Sequence, residues 1–176
     1  MTARVRTATL SDAPAIAHVH VQAWRETYRG LVPDSVLAGL SVERRVQAWS
    51  GMLAPEAEDL IVVAETDDGI IGFGAASRTR DALLATDGKI TSIYLRERYK
   101  RQGLGRILFD HLMVRLRDRG CQSVGLWVLD ANIAARRFYE RLGGRRGPDK
   151  VDDRKDVALH EVAYVWRDTV QPSHPK

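Results

Sequence analysis

Two β-forming runs joined by an Asp-Gly turn constrain this chain more than any other feature. Leu60 to Glu65 (LIVVAE) is followed by Thr66-Asp67-Asp68-Gly69 and then by Ile70 to Ser77 (IIGFGAAS). Aspartate tolerates turn conformations and glycine reaches positive φ without a steric cost, so the spacing predicts a β-hairpin. The rest of the chain must be laid out around that antiparallel pair. Upstream, Val5 to Thr9 alternates like a short strand, and Ser11-Asp12-Ala13-Pro14 supplies capping residues with proline in the first turn. Ile16, Val19, Ala23 and Trp24 then recur at helical spacing as far as Tyr28-Arg29-Gly30. After the break at Leu31-Val32-Pro33-Asp34, a second helix is expected over Ser35 to Leu40. A third follows a Ser41 cap, with Val42, Val46 and Trp49 on one side.

Downstream of the hairpin, a polar loop from Arg78 to Gly88 leads to a strand over Lys89 to Leu95. Leu104, Ile107, Leu108, Leu112 and Leu116 mark a helix that closes at Gly120, a residue suited to the left-handed end of a helix. Ser123 to Leu129 is the next strand. Asp130 is placed to cap the following helix, whose apolar stripe is Ala131, Ala135, Phe138 and Leu142 and which Gly143-Gly144 stops. A charged loop, a strand over Val157 to Trp166 and a frayed tail at 171–176 complete the expected order.

With 176 residues, 44% hydrophobic and 28% charged, the chain suits one soluble globular domain over 1–170, without repeat or linker. No segment approaches the roughly 20 apolar residues of a membrane span, and no apolar stretch follows the N-terminal charges as in a secretory signal, so no membrane partner and a cytoplasmic location are expected. The single cysteine, Cys121, excludes an internal disulfide framework and reads as a buried small hydrophobe. Of the five histidines only His18 and His20 are neighbours, on different helix faces and without ligand spacing, so no metal is expected. The net charge of +4 is small. Its densest basic stretch, Arg96 to Arg106, suits a polyphosphate better than a nucleic-acid groove, because no nucleic-acid-binding motif accompanies it.

The chemistry starts where the Lys89 to Leu95 strand meets the helix at Leu104. Lys100-Arg101-Gln102-Gly103-Leu104-Gly105-Arg106 is a glycine-bearing loop running into a helix N-terminus, where unpaired N–H groups and the positive dipole end favour an anion. A P-loop needs Gly-x4-Gly-Lys-Ser/Thr, and a dinucleotide fingerprint needs a third small residue where this chain has Leu108, so neither fits. The second constellation is Leu126-Trp127-Val128-Leu129-Asp130-Ala131-Asn132 followed by Arg137-Phe138-Tyr139-Glu140-Arg141-Leu142-Gly143-Gly144.

In this order and separation the two blocks resemble motifs A and B of the GCN5-related N-acetyltransferase (GNAT) superfamily, and Ala23 to Pro33 is similar to the start of many bacterial members. The resemblance implies the α/β GNAT fold: a mixed, mainly antiparallel sheet flanked by helices, whose fourth and fifth strands, Lys89 to Leu95 and Ser123 to Leu129, splay around acetyl-CoA. It implies transfer of acetyl directly to a primary amine of a small molecule or peptide. Carried onto this chain, it puts the pyrophosphate on the amides of Lys100, Arg101, Gln102, Gly103, Leu104, Gly105 and Arg106. The backbone of Ile93, Tyr94 and Leu95 would face the thioester and pantetheine, with the Ile93 N–H polarising the acetyl carbonyl. Asn132 would hold the pantetheine arm, and Tyr139 would protonate the departing thiolate. Helical spacing adds Arg136 to the stripe of Asn132 and Tyr139.

Lys89 is a departure. It occupies a position where some members carry a glutamate base, which leaves Glu26, Glu65 and His160 as candidates for that part. Trp24 and Tyr28, four apart on the first helix, are candidate walls of an acceptor pocket. Two alternatives stand beside the acetyltransferase: a transferase for a longer acyl group, and a non-catalytic acyl-CoA sensor that lost its base. A homodimer is compatible with the resemblance alone.

Overall fold

The computed structural model of the chain describes residues 3–153 and 157–167, and the expected hairpin lies well inside its sheet. β2 (Leu60–Thr66) and β3 (Gly69–Arg78) pair antiparallel from Leu60↔Ala76 to Thr66↔Gly69, with Asp67 and Asp68 in the turn and Gly69 at φ +105°. β1 (Arg4–Thr7) pairs with β2, and β4 (Gly88–Leu95) with β3. β5 (Ser123–Leu129), β6 (Arg145–Asp152) and β7 (Leu159–Arg167) complete seven strands in the order β1-β2-β3-β4-β5-β7-β6. Among the described residues every pairing between these strands is antiparallel except β4 with β5, which are joined through a helix. The mixed, mainly antiparallel α/β sheet that the resemblance implies is the one found.

Two helical layers cover the sheet. α1 (Ala13–Tyr28), α2 (Asp34–Ala38) and α3 (Val42–Met52) precede the hairpin, while α4 (Leu104–Asp118) and α5 (Ile133–Arg141) follow β4 and β5. Strand alternation explains the continuous apolar run of β2. Ile61 and Val63 pack with Ile16, Ala17 and Trp49 of α1 and α3, whereas Val62 and Ala64 pack with Leu108, Leu112 and Leu116 of α4. Ser41 caps α3 as expected, its hydroxyl accepting the Arg44 N–H at 3.2 Å. No helix among the described residues is long and apolar enough to cross a membrane.

Several boundaries differ from the sequence reading. β1 ends at Thr7, because Thr9 turns to form a capping box with Asp12 ahead of α1. α2 covers Asp34–Ala38 rather than Ser35 to Leu40. The polar loop after β3 contains Leu84, which is fully buried against Ala163 and Val165. The charged loop after α5 contains β6, an edge strand whose charges and Pro148 discourage pairing with another chain while it pairs with β7 on its inner side. The tail at 171–176 lies outside the described residues.

β1, β2 and α1 are tied by one ion network. Arg6 donates to Asp12 at 2.7 and 3.0 Å and to Glu65 at 2.7 and 2.9 Å, while the Thr9 N–H also donates to Asp12. Arg6 holds the Asp12 carboxyl down from 3.8 to about 2. A carboxylate whose folded pKa is lowered adds stability above its unfolded pKa and loses it as pH falls towards the folded value. Asp12→Asn should therefore cost on the order of 2 kcal/mol near pH 7. In urea titrations the gap from the parent should narrow between pH 4 and pH 2, and a gap independent of pH would refute the network's contribution.

Candidate active site

The site begins where two strands stop pairing. β4 and β5 share only Gly88↔Val124 and Lys89↔Gly125, and beyond them the strands separate. On the other edge of β4 the ladder slips between Ala75 and Ala76, leaving Thr91 as the extra residue of a bulge, its hydroxyl bonded to the Ala75 carbonyl at 3.2 Å. Bulges bend and twist a strand, which turns β4 from β5 as it leaves the last shared pair. A cleft of about 850 Å³ opens there, between Ile90 to Leu95 on β4, Leu126 to Val128 on β5, the end of α1 and the inner face of α5.

One end of the cleft is the glycine loop. Gly103 caps α4 at φ +84° and Arg101 also takes a positive φ of +61°, so the chain turns sharply into the helix. A Cβ on Gly103 would meet nothing within 4 Å, whereas one on Gly105 would lie 3.3 Å from Phe138 Cζ. Gly105 thus lets α4 and α5 meet. Of the backbone donors expected to bind an anion, two are otherwise engaged: the Lys100 N–H donates to the Glu97 carbonyl and the Arg106 N–H to the Gly103 carbonyl. The Lys100 ammonium is held by Glu97 at 2.6 Å and Thr27 at 3.2 Å. Lys100, Arg101, Gly103, Gly105 and Arg106 line the cleft. Gln102 instead donates to the Arg98 carbonyl, and Leu104 is buried in the core.

α5 forms the opposite wall. Its N-cap is Asn132, not Asp130: Asn132 Oδ1 accepts the Ala135 N–H at 3.2 Å, and the residue itself lies outside helical geometry at φ −83°, ψ 71°. The seven-residue stripe from Asn132 through Arg136 to Tyr139 is therefore broken at its first member. Asn132 and Tyr139 line the cleft, but the Arg136 guanidinium turns to Asp130 at 2.7 Å and to the Tyr164 hydroxyl at 3.3 Å. Arg137 and Arg141, one turn apart, line the cleft. Beginning the count at Ile133 would have selected them. Tyr139 is buried, and burial followed by the nearby Tyr28 pushes its phenol above the ordinary tyrosine range. It keeps its proton at every working pH.

An aromatic wall closes the α1 side. Tyr28 and Tyr94 line the cleft with their hydroxyls hydrogen-bonded at 2.9 Å, while Trp24 packs behind Tyr28 with ring centres 4.7 Å apart. His20, behind Tyr94 with centroids 5.5 Å apart, accepts the Trp49 indole N–H at 3.1 Å. Burial lowers its pKa to about 3. Of the candidate bases, Glu26 lines the cleft, accepting hydrogen bonds from the Glu97 N–H and the Gln22 amide. Glu65 belongs to the Arg6 network, and His160 is exposed on β7. Lys89 stays at the paired base of the cleft, 3.6 Å from Asp81. Cys121 is buried, as expected, and burial raises its thiol pKa.

A family model, the acetyltransferase (GNAT) family, matches residues 15–144. The chain belongs to that family. The GNAT resemblance of the glycine loop and the Phe-Tyr-Glu-Arg-Leu-Gly block thus holds, and with it the class of enzyme, an N-acetyltransferase. The uncharacterized N-acetyltransferase YuaI of Bacillus subtilis is 30% identical over 164 residues, spanning 93% of this chain and 92% of YuaI. Phosphinothricin N-acetyltransferase of Streptomyces viridochromogenes is 30% identical over 117 residues, 65% of this chain and 63% of the relative. Among solved structures, the PaiA N-acetyltransferase of Thermoplasma acidophilum in complex with coenzyme A superposes with a TM-score of 0.70 at 17% identity, covering 92% of this chain and 98% of that one.

The aromatic wall is testable without any ligand. The His20 ring should stay neutral from pH 8 to pH 4, its imidazole carbon resonances unchanged; a midpoint near the ordinary 6.5 would show that water reaches it.

Proposed function

We propose that this GNAT enzyme transfers an acetyl group from acetyl-CoA directly to a primary amine, both substrates meeting in the cleft between β4 and β5. The observation that carries the reading is the cleft itself, an opening between two strands with a helix N-terminus and arginines at one end and tyrosines at its waist. Its residues fit the donor. The open space over Gly103 and the first-turn amides of α4 suit a pyrophosphate, and Arg101, Arg106, Arg137 and Arg141 add positive charge. The CoA bound to the PaiA relative supports the same donor.

Acetyl-CoA supplies an activated acetyl thioester; the chain's own groups do the rest. The edge of β4 from Ile90 to Leu95, released from β5, offers backbone to the pantetheine and thioester, with the Ile93 N–H directed at the acetyl carbonyl. Oriented N–H donors in a water-poor site favour charge developing on that oxygen. Asn132 spends its carbonyl on the helix cap and keeps its amide N–H groups for the pantetheine arm. Tyr139 gives its phenolic proton to the thiolate as the C–S bond breaks, and the proton shed by the acceptor nitrogen as the amide C–N bond forms restores the phenol. Because a thiol leaves well, with a pKa near 8.5, and burial holds the Tyr139 phenol above the ordinary tyrosine range, Tyr139 contributes at the low end of general-acid catalysis. The acceptor enters along Tyr28. The name of the Streptomyces relative, a phosphinothricin N-acetyltransferase, favours a small-molecule amine.

Calorimetric titration with acetyl-CoA tests the donor site. The parent should bind it and Gly103→Glu should not, while Gly103→Ala, which shares the strain at φ +84° without the charge, should lose less. Thiol release across a panel of primary amines then tests the reaction. Tyr139→Phe should lower kcat by roughly 100-fold with acetyl-CoA affinity unchanged. A sensor would bind acetyl-CoA and show no turnover for Tyr139→Phe to lower.

A further inference from the structure

We propose that the corner formed by Trp127, Glu161 and Lys150 is a binding site for an ammonium group of the acceptor, with Glu161 as its ligand and Lys150 as the group displaced. The inference rests on the amine-acceptor reading above and says where in the cleft that acceptor is held.

Trp127 lines the cleft, and its indole N–H donates to Asp81 Oδ2 at 2.9 Å, which fixes the plane of the ring. Asp81 is itself anchored, its other oxygen accepting the Leu84 N–H at 3.0 Å. Over the Trp127 ring, 4.4 Å from its centre, lies the ammonium of Lys150, and the same nitrogen is 3.1 Å from Glu161 Oε2. Sheet register builds the arrangement. Lys150 on β6 and Leu129 on β5 both stand opposite Glu161 on β7, so Glu161 sits one strand from the cleft. Its register partner Leu129 belongs to the apolar cluster against which Tyr28 packs. Glu161 therefore stands beside the Trp127 wall of the cleft, joined to it through the Lys150 ammonium.

An aromatic face with a carboxylate beside it is the chemistry that recognises a primary ammonium ion. Here the protein's own lysine demonstrates the fit. The two partners are unequal in their hold, however. Glu161 sits on an interior strand with a short side chain, whereas Lys150 reaches in from the edge strand on a long, flexible stem. Their side chains are 22% and 25% exposed, enough for exchange with a solute. Charge sorts the two substrates: the arginines at the far end of the cleft suit an anionic donor and repel a cation, which leaves the Glu161 corner for the amine.

The test uses the full chain with 15N-labelled tryptophan, the Trp127 indole resonance being assigned with Trp127→Phe. Titration with n-propylammonium chloride should shift that resonance saturably, while n-propanol and sodium chloride at equal concentration should not. Glu161→Gln should weaken the binding roughly ten-fold, the loss of one charge-assisted contact. Lys150→Met, which removes the resident competitor, should strengthen it. These opposite signs separate a ligand site from a structural strut, for which both substitutions act in the same direction. No saturable shift in the parent, a shift indifferent to Glu161→Gln, or weaker binding by Lys150→Met would overturn the proposal. Acetyl-CoA calorimetry on the same samples reports separately on folding and on the donor site, so a failure of the acetyltransferase reading is distinguishable from a failure here.

Discussion

The structure depends on how little hydrogen bonding joins its two halves. Among the described residues, Gly88↔Val124 and Lys89↔Gly125 are the only strand pairs between a four-stranded antiparallel piece built on the hairpin and a three-stranded piece built on β5 and β7. A longer ladder would close the sheet and leave no room for a substrate; with a ladder this short, the two pieces are held by a shared apolar core that contains Val62 and Ala64 of one and Leu126 and Val162 of the other. The chain solves this by placing a bulge at Thr91 just beyond the last shared pair and by spanning the gap with α4 and α5. Backbone groups that pairing would have consumed are thereby turned toward the cleft, and such groups must find partners in water or in a ligand.

How legible this was from sequence depended on whether the signal was local. The hairpin, the Ser41 cap and the glycine loop each rest on residues a few positions apart, and each forms where the local chemistry directs it. β6 was not legible, because an edge strand needs no apolar periodicity; its charges and Pro148 look like a loop until β7 supplies a partner. Leu84 looked like part of a polar loop because its burial comes from Ala163 and Val165, some eighty positions away. The error at α5 was smaller and more consequential. Choosing Asp130 over Asn132 as the cap moved the origin of the helical count, and so pointed to Arg136 where Arg137 and Arg141 face the cleft.

Electrostatics divides the cleft in a way that neither net charge nor composition reveals. The loop end gathers guanidinium groups around a helix N-terminus and the α1 side presents the Tyr28 and Tyr94 phenols, held protonated by removal from water, while next to the Trp127 wall two lysines pair with two carboxylates. Local fields of this kind bear on substrate orientation more than the chain's overall excess of four positive charges.

The contact of Gly105 with Phe138 has a mechanical meaning. The helix that starts at the glycine loop and the helix that carries Tyr139 touch through an aromatic edge that a methyl group would already crowd. Phe138 thus fixes how near α5 comes to the first turn of α4, and Tyr139 is its immediate neighbour in the chain. How closely those two helices approach is therefore set by one glycine and one aromatic edge, away from any strand pairing.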